Sequence, residues 1–373
     1  MIELKPDEAR RLLVGQAGLR APTPSTGHDG VRQVLEHLRC IQLDPIDRIG
    51  TNADLVAAAR VDGLRVGDVY DALLPGHAFE HFAKERCLLP ARLFPWYRER
   101  AVQAPWWRLG ERTRRVDRAL VDDVLAEVES RGPVTAAELE DRGRVEPLDW
   151  NGWTGTSRAT SMALEILWTR CQVVVHSRTP GGKRFDVPRR ALPDVHAAPA
   201  PGTFHDVAFL DRVEAAGLLS TAIGPWWSAL RDRRDELIGR HLALGTVDLV
   251  RIDGSRRTWL APAGLRDREW PEDDGRMRIL GPLDPLMWNR DLVRHVFDFD
   301  YVWEVYKPAD KRRWGFYVCP LLHRGRLVGR LEAHVEGGEL VIDRVWEEPG
   351  GLDPVALDDA LDRHRRFLGL ERS

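Results

Sequence analysis

The stretch Gln172-Val173-Val174-Val175-His176-Ser177-Arg178-Thr179-Pro180-Gly181-Gly182-Lys183-Arg184-Phe185-Asp186-Val187-Pro188 decides how the chain is read. Its two arms, 172–178 and 184–188, are rich in β-branched and aromatic residues, and Thr179 to Lys183 supplies turn residues between them. The segment therefore predicts a β-hairpin. Working back from it, 116–131 has the pattern of an amphipathic helix stopped by Gly132-Pro133. Thr135 caps a short predicted helix over 136–142, and Thr156 or Ser157 caps a longer one ending near 170,. Three helices followed by a hairpin is the winged-helix order, in which the third helix enters the major groove and the hairpin touches the flanking backbone. The same order also serves protein-docking and purely structural modules.

The order recurs in both directions. Downstream, 205–218 and 232–243 read as helices, and 246–252 with 257–262 as a hairpin across Asp253-Gly254-Ser255,. Upstream, 5–18 and a segment after Thr26 read as helices, as do 51–60 and 66–74, and 78–90 reads as extended where a wing would stand. From residue 279 strand-like runs take over, at 301–306, 313–320, 326–335 and 339–345, and 353–368 closes as a helix. The expected architecture is α+β: winged-helix units over 1–115, 116–200 and 201–275, then a small antiparallel sheet or β-barrel with a terminal helix over 276–373.

With 373 residues, 43% hydrophobic and 30% charged, the chain suits several packed domains and not a disordered one,. No signal-like start and no apolar run of about 18 residues is present, so a cytoplasmic, membrane-free protein is expected,. Cys40, Cys87, Cys171 and Cys319 are far apart and form no Cys-x-x-Cys pair, which favours buried free thiols over zinc or disulfides,. His77 and His81 sit in an extended segment, so they do not form a helical metal pair. Phosphate-loop, dinucleotide, zinc-protease and serine-elbow motifs are absent,. No metal and no cofactor is expected.

The net charge of −3 argues against indiscriminate nucleic-acid binding,. Between Tyr301 and Arg330, however, Lys307, Lys311, Arg312, Arg313, Arg324, Arg326 and Arg330 face only Glu304 and Asp310. A local basic patch of this kind fits a defined polyanion site, although a solvated face has the same composition. Trp106-Trp107 and Trp226-Trp227 can stack on bases or fill core.

One further stretch carries candidate chemistry: Ile41-Gln42-Leu43-Asp44-Pro45-Ile46. Apolar and polar residues alternate, and Pro45 holds Asp44 away from helical geometry. In extended form, Gln42 and Asp44 share a face roughly 6.5 Å apart at the backbone, with room for a water between their tips. Taken alone, the stretch reads more simply as a strand end.

Ile41-Gln42-Leu43-Asp44, Phe79-Glu80-His81-Phe82-Ala83-Lys84-Glu85 leading to Leu88-Leu89-Pro90, and Gly281-Pro282-Leu283-Asp284-Pro285-Leu286-Met287-Trp288-Asn289-Arg290 resemble the AlkZ/YcaQ family of winged-helix DNA glycosylases. So do Tyr306 to Arg313, Gly315-Phe316-Tyr317-Val318 and Leu327-Val328-Gly329-Arg330, in order along the chain. The resemblance implies three winged helices and a C-terminal β-barrel, C-shaped around a DNA channel. It also implies removal of guanines alkylated at N7, including crosslinks and bulky adducts of natural-product genotoxins, some members protecting the toxin's producer. The family's Gln-x-Gln or Gln-x-Asp motif falls on Gln42 and Asp44. Where many members carry an aromatic pair and a His before the Glu, this chain has His81-Phe82-Ala83-Lys84-Glu85.

N7-alkylation leaves the purine cationic and already a good leaving group, so catalysis is needed on the sugar side. Asp44 would stabilise an oxocarbenium-like sugar and take a proton from water, and Gln42 would hold that water. The motif contains no lysine, so a monofunctional enzyme leaving an abasic site is expected. The expected partner is double-stranded DNA containing alkylated guanine, met by a monomer. Its contacts are expected from Lys84, from Lys183 and Arg184 in the wing, from Lys311, Arg312 and Arg313, and from the turn His323, Arg324 and Arg326, which is a candidate for groove insertion. A non-enzymatic DNA-binding regulator or damage sensor would need the same basic surfaces.

Overall fold

The computed structural model describes residues 1–103, 106, 108–148, 156–179 and 181–370. The chain forms two compact units: Met1–Val69 with Phe82–Cys87 and Ala208–Ser373, and Tyr70–His81 with Leu88–Val207. Trp107 and Pro180, which figured in the base-stacking and turn readings above, lie outside the described residues. Among the described residues no helix is long and apolar enough to cross a membrane.

The second unit contains the helices Phe94–Gln103, Arg118–Arg131 and Ala159–Thr169 and a sheet in the order Val134–Thr135, Gly182–Asp186, Val174–Thr179. Asp117 caps the helix Arg118–Arg131 by accepting from Leu120 N at 2.8 Å, and Val121, Val124 and Val128 face inward,. The helix predicted over 136–142 is instead a turn. Thr135 and Glu138 exchange the hydrogen bonds of a capping box, at 2.6 and 3.3 Å, but Thr135 is already committed to the sheet opposite Arg184. The next helix starts at Ala159 because Ser157–Arg158 pairs with Arg144–Val145. Trp106 is buried and stacked on Tyr97 at 5.6 Å, and His81 lies between Trp106 and Trp168, so these rings are core,.

Among the described residues, two sheets lie wholly within the first unit. One runs Ile2–Leu4, Val247–Ile252, Thr258–Pro262, Leu219–Ser220, with the N-terminal strand parallel to its neighbour and Ile2 opposite Val250. The C-terminal strands, read from the sequence as a small antiparallel sheet or a β-barrel, form an open antiparallel sheet in the order Arg278–Ile279, Val318–His323, Arg326–Glu336, Glu339–Glu347, so the barrel that the resemblance implied does not close. Its inner face and the helix Pro354–Leu368 share a core that includes Ile49, Met277, Cys319, Leu331 and Leu361. Residues 301–306, expected to be a strand, are irregular. Here Glu304 accepts from Lys307 Nζ and from Trp314 N, both at 2.7 Å, and so closes a loop from within. The following strand begins only at Val318, after Gly315, where a Cβ would stand 2.3 Å from the Glu332 carboxylate.

Candidate active site around Gln42 and Asp44

The helix Gly27–Leu38 delivers the chain to the site. Its pattern buries Val31, Val34, Leu35 and Leu38, and Arg39, left-handed at φ 64°, ends it and turns the backbone into the strand Ile41–Gln42,. The extended run expected through residue 46 stops at Gln42. Asp44 Oδ1 accepts from Ile46 N at 2.9 Å, closing an Asx turn across Pro45, which has no N–H to continue a ladder,. Gln42 and Asp44 therefore stand in different settings, one at a strand end and one in a turn.

Gln42 is 7% exposed and fixed at both its main chain and its side chain. Its backbone carbonyl accepts from Asn52 Nδ2 at 2.8 Å. Its Oε1 accepts from Lys84 Nζ at 2.9 Å. Lys84 belongs to residues 82–87, the tip of the hairpin made by Ala78–Phe82 and Arg86–Pro90, and Arg86 O in that tip accepts from Leu43 N at 2.9 Å. With Oε1 occupied by a lysine, the amide's Nε2 is its other end, and it can only donate.

Asn52 links this corner to the segment 281–290. It is fully buried, and its Oδ1 accepts from Leu283 N at 3.1 Å. Gly281 is required beside it, since a Cβ there would lie 2.5 Å from Asn52 Oδ1,. Asp284 then makes a two-pronged ion pair with Arg60, at 2.7 and 3.0 Å, with the two side chains 0% and 1% exposed,. Arg60 also donates to Ala17 O and Val56 O, so its donors are satisfied in the interior. Trp288 Nε1 donates to Leu283 O at 3.0 Å, setting the indole 5.4 Å from Lys84 Nζ. Lys84, Trp226, Pro282, Trp288, Asn289 and Arg290 line a cavity of about 350 Å³.

The electrostatics differ between the two polar groups. Burial pushes the Asp44 carboxyl above its usual range, opposed by the Ile46 N–H,. Among the described residues its second oxygen has no donor. Burial also pulls Lys84 below the usual ammonium value, and Arg290 and Arg212 act in the same direction against Cys87 and Glu85. Tyr317 is buried, its hydroxyl has no partner among the described residues, and burial together with the charges of Asp44 and Asp47 holds its pKa high. Sequence reasoning assigns Asn52 and Tyr317 no role at this site and reads Trp226 only as a base-stacking or core ring. The only local trace of Asn52 is its place after the helix-capping Thr51, which accepts from Asp54 N.

The other basic candidates are dispersed. Arg324 and Arg326 are exposed and, with Arg10, Arg11 and Arg20, line a separate cavity of about 600 Å³ that also meets Asp7, Asp273 and Asp274. His323 is 8% exposed with Nε2 3.0 Å from Gly275 O, so it anchors this turn and does not project from it. Lys311 is exposed, Arg312 donates to Lys307 O at 2.9 Å, and Arg313 lies 3.8 Å from Asp300. In the second unit Lys183 stands opposite Arg178 at the hairpin end, and Arg184 donates to Pro133 O and reaches Glu138 at 3.5 Å.

The fold is similar to that of a solved structure, Streptomyces sahachiroi DNA glycosylase AlkZ, with a TM-score of 0.61 and 16% identity over 100% of this chain and 98% of that one. Residues 35–367, which contain Gln42, Asp44, Asn52, Lys84 and the 281–290 segment, match the family described as DNA glycosylase AlkZ-like. The chain belongs to the AlkZ-like DNA glycosylase family.

Proposed function

We propose that the protein is a DNA glycosylase that hydrolyses the N-glycosidic bond of N7-alkylated guanine in double-stranded DNA. The observation that carries this reading is an immobilised amide, Gln42, two residues before a half-buried carboxyl, Asp44, whose second oxygen has no donor among the described residues. A cationic N7-alkylguanine departs without protonation, so the site needs no general acid. As the bond to the base stretches, the Asp44 carboxylate stabilises positive charge on the sugar and accepts a proton from the attacking water. The Gln42 amide meets that water or the sugar through Nε2, because Lys84 holds Oε1. Base removal in this scheme is hydrolytic, with water as nucleophile and an abasic site as product.

In the same reading, the helix-and-hairpin sets of 1–115, 116–200 and 201–275 act as winged-helix modules that hold the duplex, and 276–373 contributes its basic turn. The substrate class extends to bulky natural-product monoadducts and interstrand crosslinks, and the role to self-resistance of a producing organism. The protein works as a cytoplasmic, nucleoid-associated monomer without metal or cofactor.

The test is single-turnover excision from a panel of duplexes carrying N7-methylguanine, bulky N7 adducts and N7 crosslinks. Heat- or alkali-labile abasic sites are expected, and Asp44→Asn should slow their formation on the order of 10²-fold. Release of no base from any of them, with tight salt-dependent binding retained, would make the protein a DNA-binding regulator or sensor instead.

A further inference from the structure

Lys84 has features that orienting Gln42 does not require. Its Nζ donates to Gln42 Oε1 at 2.9 Å, yet among the described residues it forms no ion pair, whereas Lys307 pairs with Glu304 at 2.7 Å. Burial disfavours its ammonium form, and Arg290 and Arg212 add to that effect against Cys87 and Glu85. The ring of Trp288 covers one side. The remaining side opens into the cavity of about 350 Å³ that Trp226, Pro282, Asn289 and Arg290 complete, within the usual range of small-ligand sites. A lysine that is desolvated, free of an ion pair among the described residues and open to a cavity is the setting in which an amine is nucleophilic,.

We propose that Lys84 gives the protein a second activity, scission of DNA at abasic sites through a Schiff base between Nζ and C1′ of the deoxyribose. The inference rests on the reading that the lesion's sugar sits at Gln42 and Asp44. The expectation of hydrolysis alone followed from the absence of lysine in residues 41–46, but the fold brings Lys84 to that motif across 42 residues of sequence.

The steps balance without any added oxidant or reductant. The ring-opened abasic sugar presents an aldehyde at C1′. The Nζ lone pair attacks C1′, the carbonyl oxygen takes up protons and leaves as water, and an iminium ion remains. The C2′–H bond then breaks, its proton passing to the Asp44 carboxylate and its electron pair forming the C2′=C3′ bond. The C3′–O bond breaks as that double bond forms, and the electrons leave with the phosphate, which becomes a 5′-phosphorylated end. Water hydrolyses the unsaturated iminium and frees Lys84. The Arg290 guanidinium lines the same cavity and is placed to offset charge on the departing phosphate,.

The experiment uses the full-length protein and a duplex in which an abasic site has been made beforehand, with sodium borohydride added to reduce any imine. Wild type should give one covalent protein–DNA adduct that peptide mass mapping places on Lys84, and without borohydride it should nick the strand at neutral pH. Lys84→Arg keeps a donor for Gln42 but cannot form the imine, and Lys84→Gln does the same with less bulk. Either variant should lower trapping and nicking at least ~10-fold while still binding the abasic duplex by fluorescence anisotropy. No adduct with wild type, an adduct mapped to another amine, or undiminished trapping in both variants overturns the proposal. The preformed abasic site keeps this test separate from base excision. Trapping without excision of N7-methylguanine would sink the excision reading alone, and excision without trapping would sink the Lys84 inference alone.

Discussion

The corner at Gln42 and the turn at Arg324 lie in the same unit and are both rich in polar side chains, yet they are built on opposite principles. At Gln42 the supporting groups are committed beforehand: Lys84 holds the side-chain amide, Asn52 holds the Gln42 backbone carbonyl and Leu283, and Asp284 is locked to Arg60. At the turn, His323 is the anchor, and Arg324 and Arg326 extend into solvent. A buried polar group must be satisfied or it costs stability, so the first region is rigid by necessity. Exposed guanidinium groups incur no such cost and adapt to a polyanion that arrives from solution. Chemistry needs the first arrangement and backbone binding the second. The two regions should therefore respond differently to substitution.

The largest effect is expected at Asp284. Removing it in Asp284→Ala leaves the Arg60 guanidinium buried and unpaired, which should cost about 3–5 kcal/mol of stability in chemical denaturation. Excision should fall with it, because Leu283 and Trp288 lose their support. A loss below about 1 kcal/mol would show that the Gln42 corner is held some other way. Asp44→Asn comes next and should separate chemistry from binding. Single-turnover excision should drop on the order of 10²-fold while affinity for damaged duplex changes less than about 2-fold. The pH profile follows from the same group. Asp44 must be ionised to act as a base and burial raises its pKa, so wild-type excision should climb with pH through a value above the usual carboxylate range and then level off,. Asp44→Asn should lose that limb of the profile.

The contrast also explains what could be read from the sequence. The hairpins Val174–Thr179 with Gly182–Asp186, and Val247–Ile252 with Thr258–Pro262, lie where period-two patterning and adjacent turn residues put them,. The N-terminal strand Ile2–Leu4 has only three residues, and its partner lies nearly the whole chain away, so no local pattern marks it. Residues 136–142 carry a helix signal, because Thr135 and Glu138 form a capping box, but the sheet pairing of Thr135 overrides it. At the candidate site, Gln42 and Asp44 were visible as a motif, whereas the groups that fix Gln42 were not. Asn52 and Lys84 reach it from 10 and 42 residues away, and only the folded chain brings them there. Basic residues were the least legible. A run of arginines looks alike in sequence whether, as at Arg184, the side chain is used within the fold or, as at Arg326, it is left to solvent.

Smaller effects are expected at the exposed turn. Arg324 has a left-handed backbone, at φ 47°, so Arg324→Asn removes the charge without adding strain there, and Arg326→Gln is its counterpart,. Each should weaken binding by about 1 kcal/mol and lower the salt slope of log affinity by about 1, with excision at saturating protein little changed. Equal losses in affinity and in the saturated excision rate would erase the division between a binding turn and a reacting corner. Unchanged affinity in the double variant would move the phosphate contacts to other basic residues.

The smallest effect has the opposite sign and bears most directly on the corner's design. Because the folded state raises the Asp44 pKa, folding disfavours the ionised carboxyl,. The unfavourable contribution is absent below the unfolded-state pKa, grows as pH rises toward the folded-state value, and is complete above it. Asn at this position can still accept from Ile46 N but carries no charge to desolvate. Asp44→Asn should therefore melt slightly higher than wild type at neutral pH, by no more than ~2 °C, and should lose that advantage at acidic pH where wild type is protonated. A variant that is slower yet more stable only above the carboxyl's pKa would identify Asp44 as a group kept at some cost to the fold. Equal melting temperatures at both pH values would mean that the Asx turn, and not a charge held ready for reaction, accounts for the aspartate.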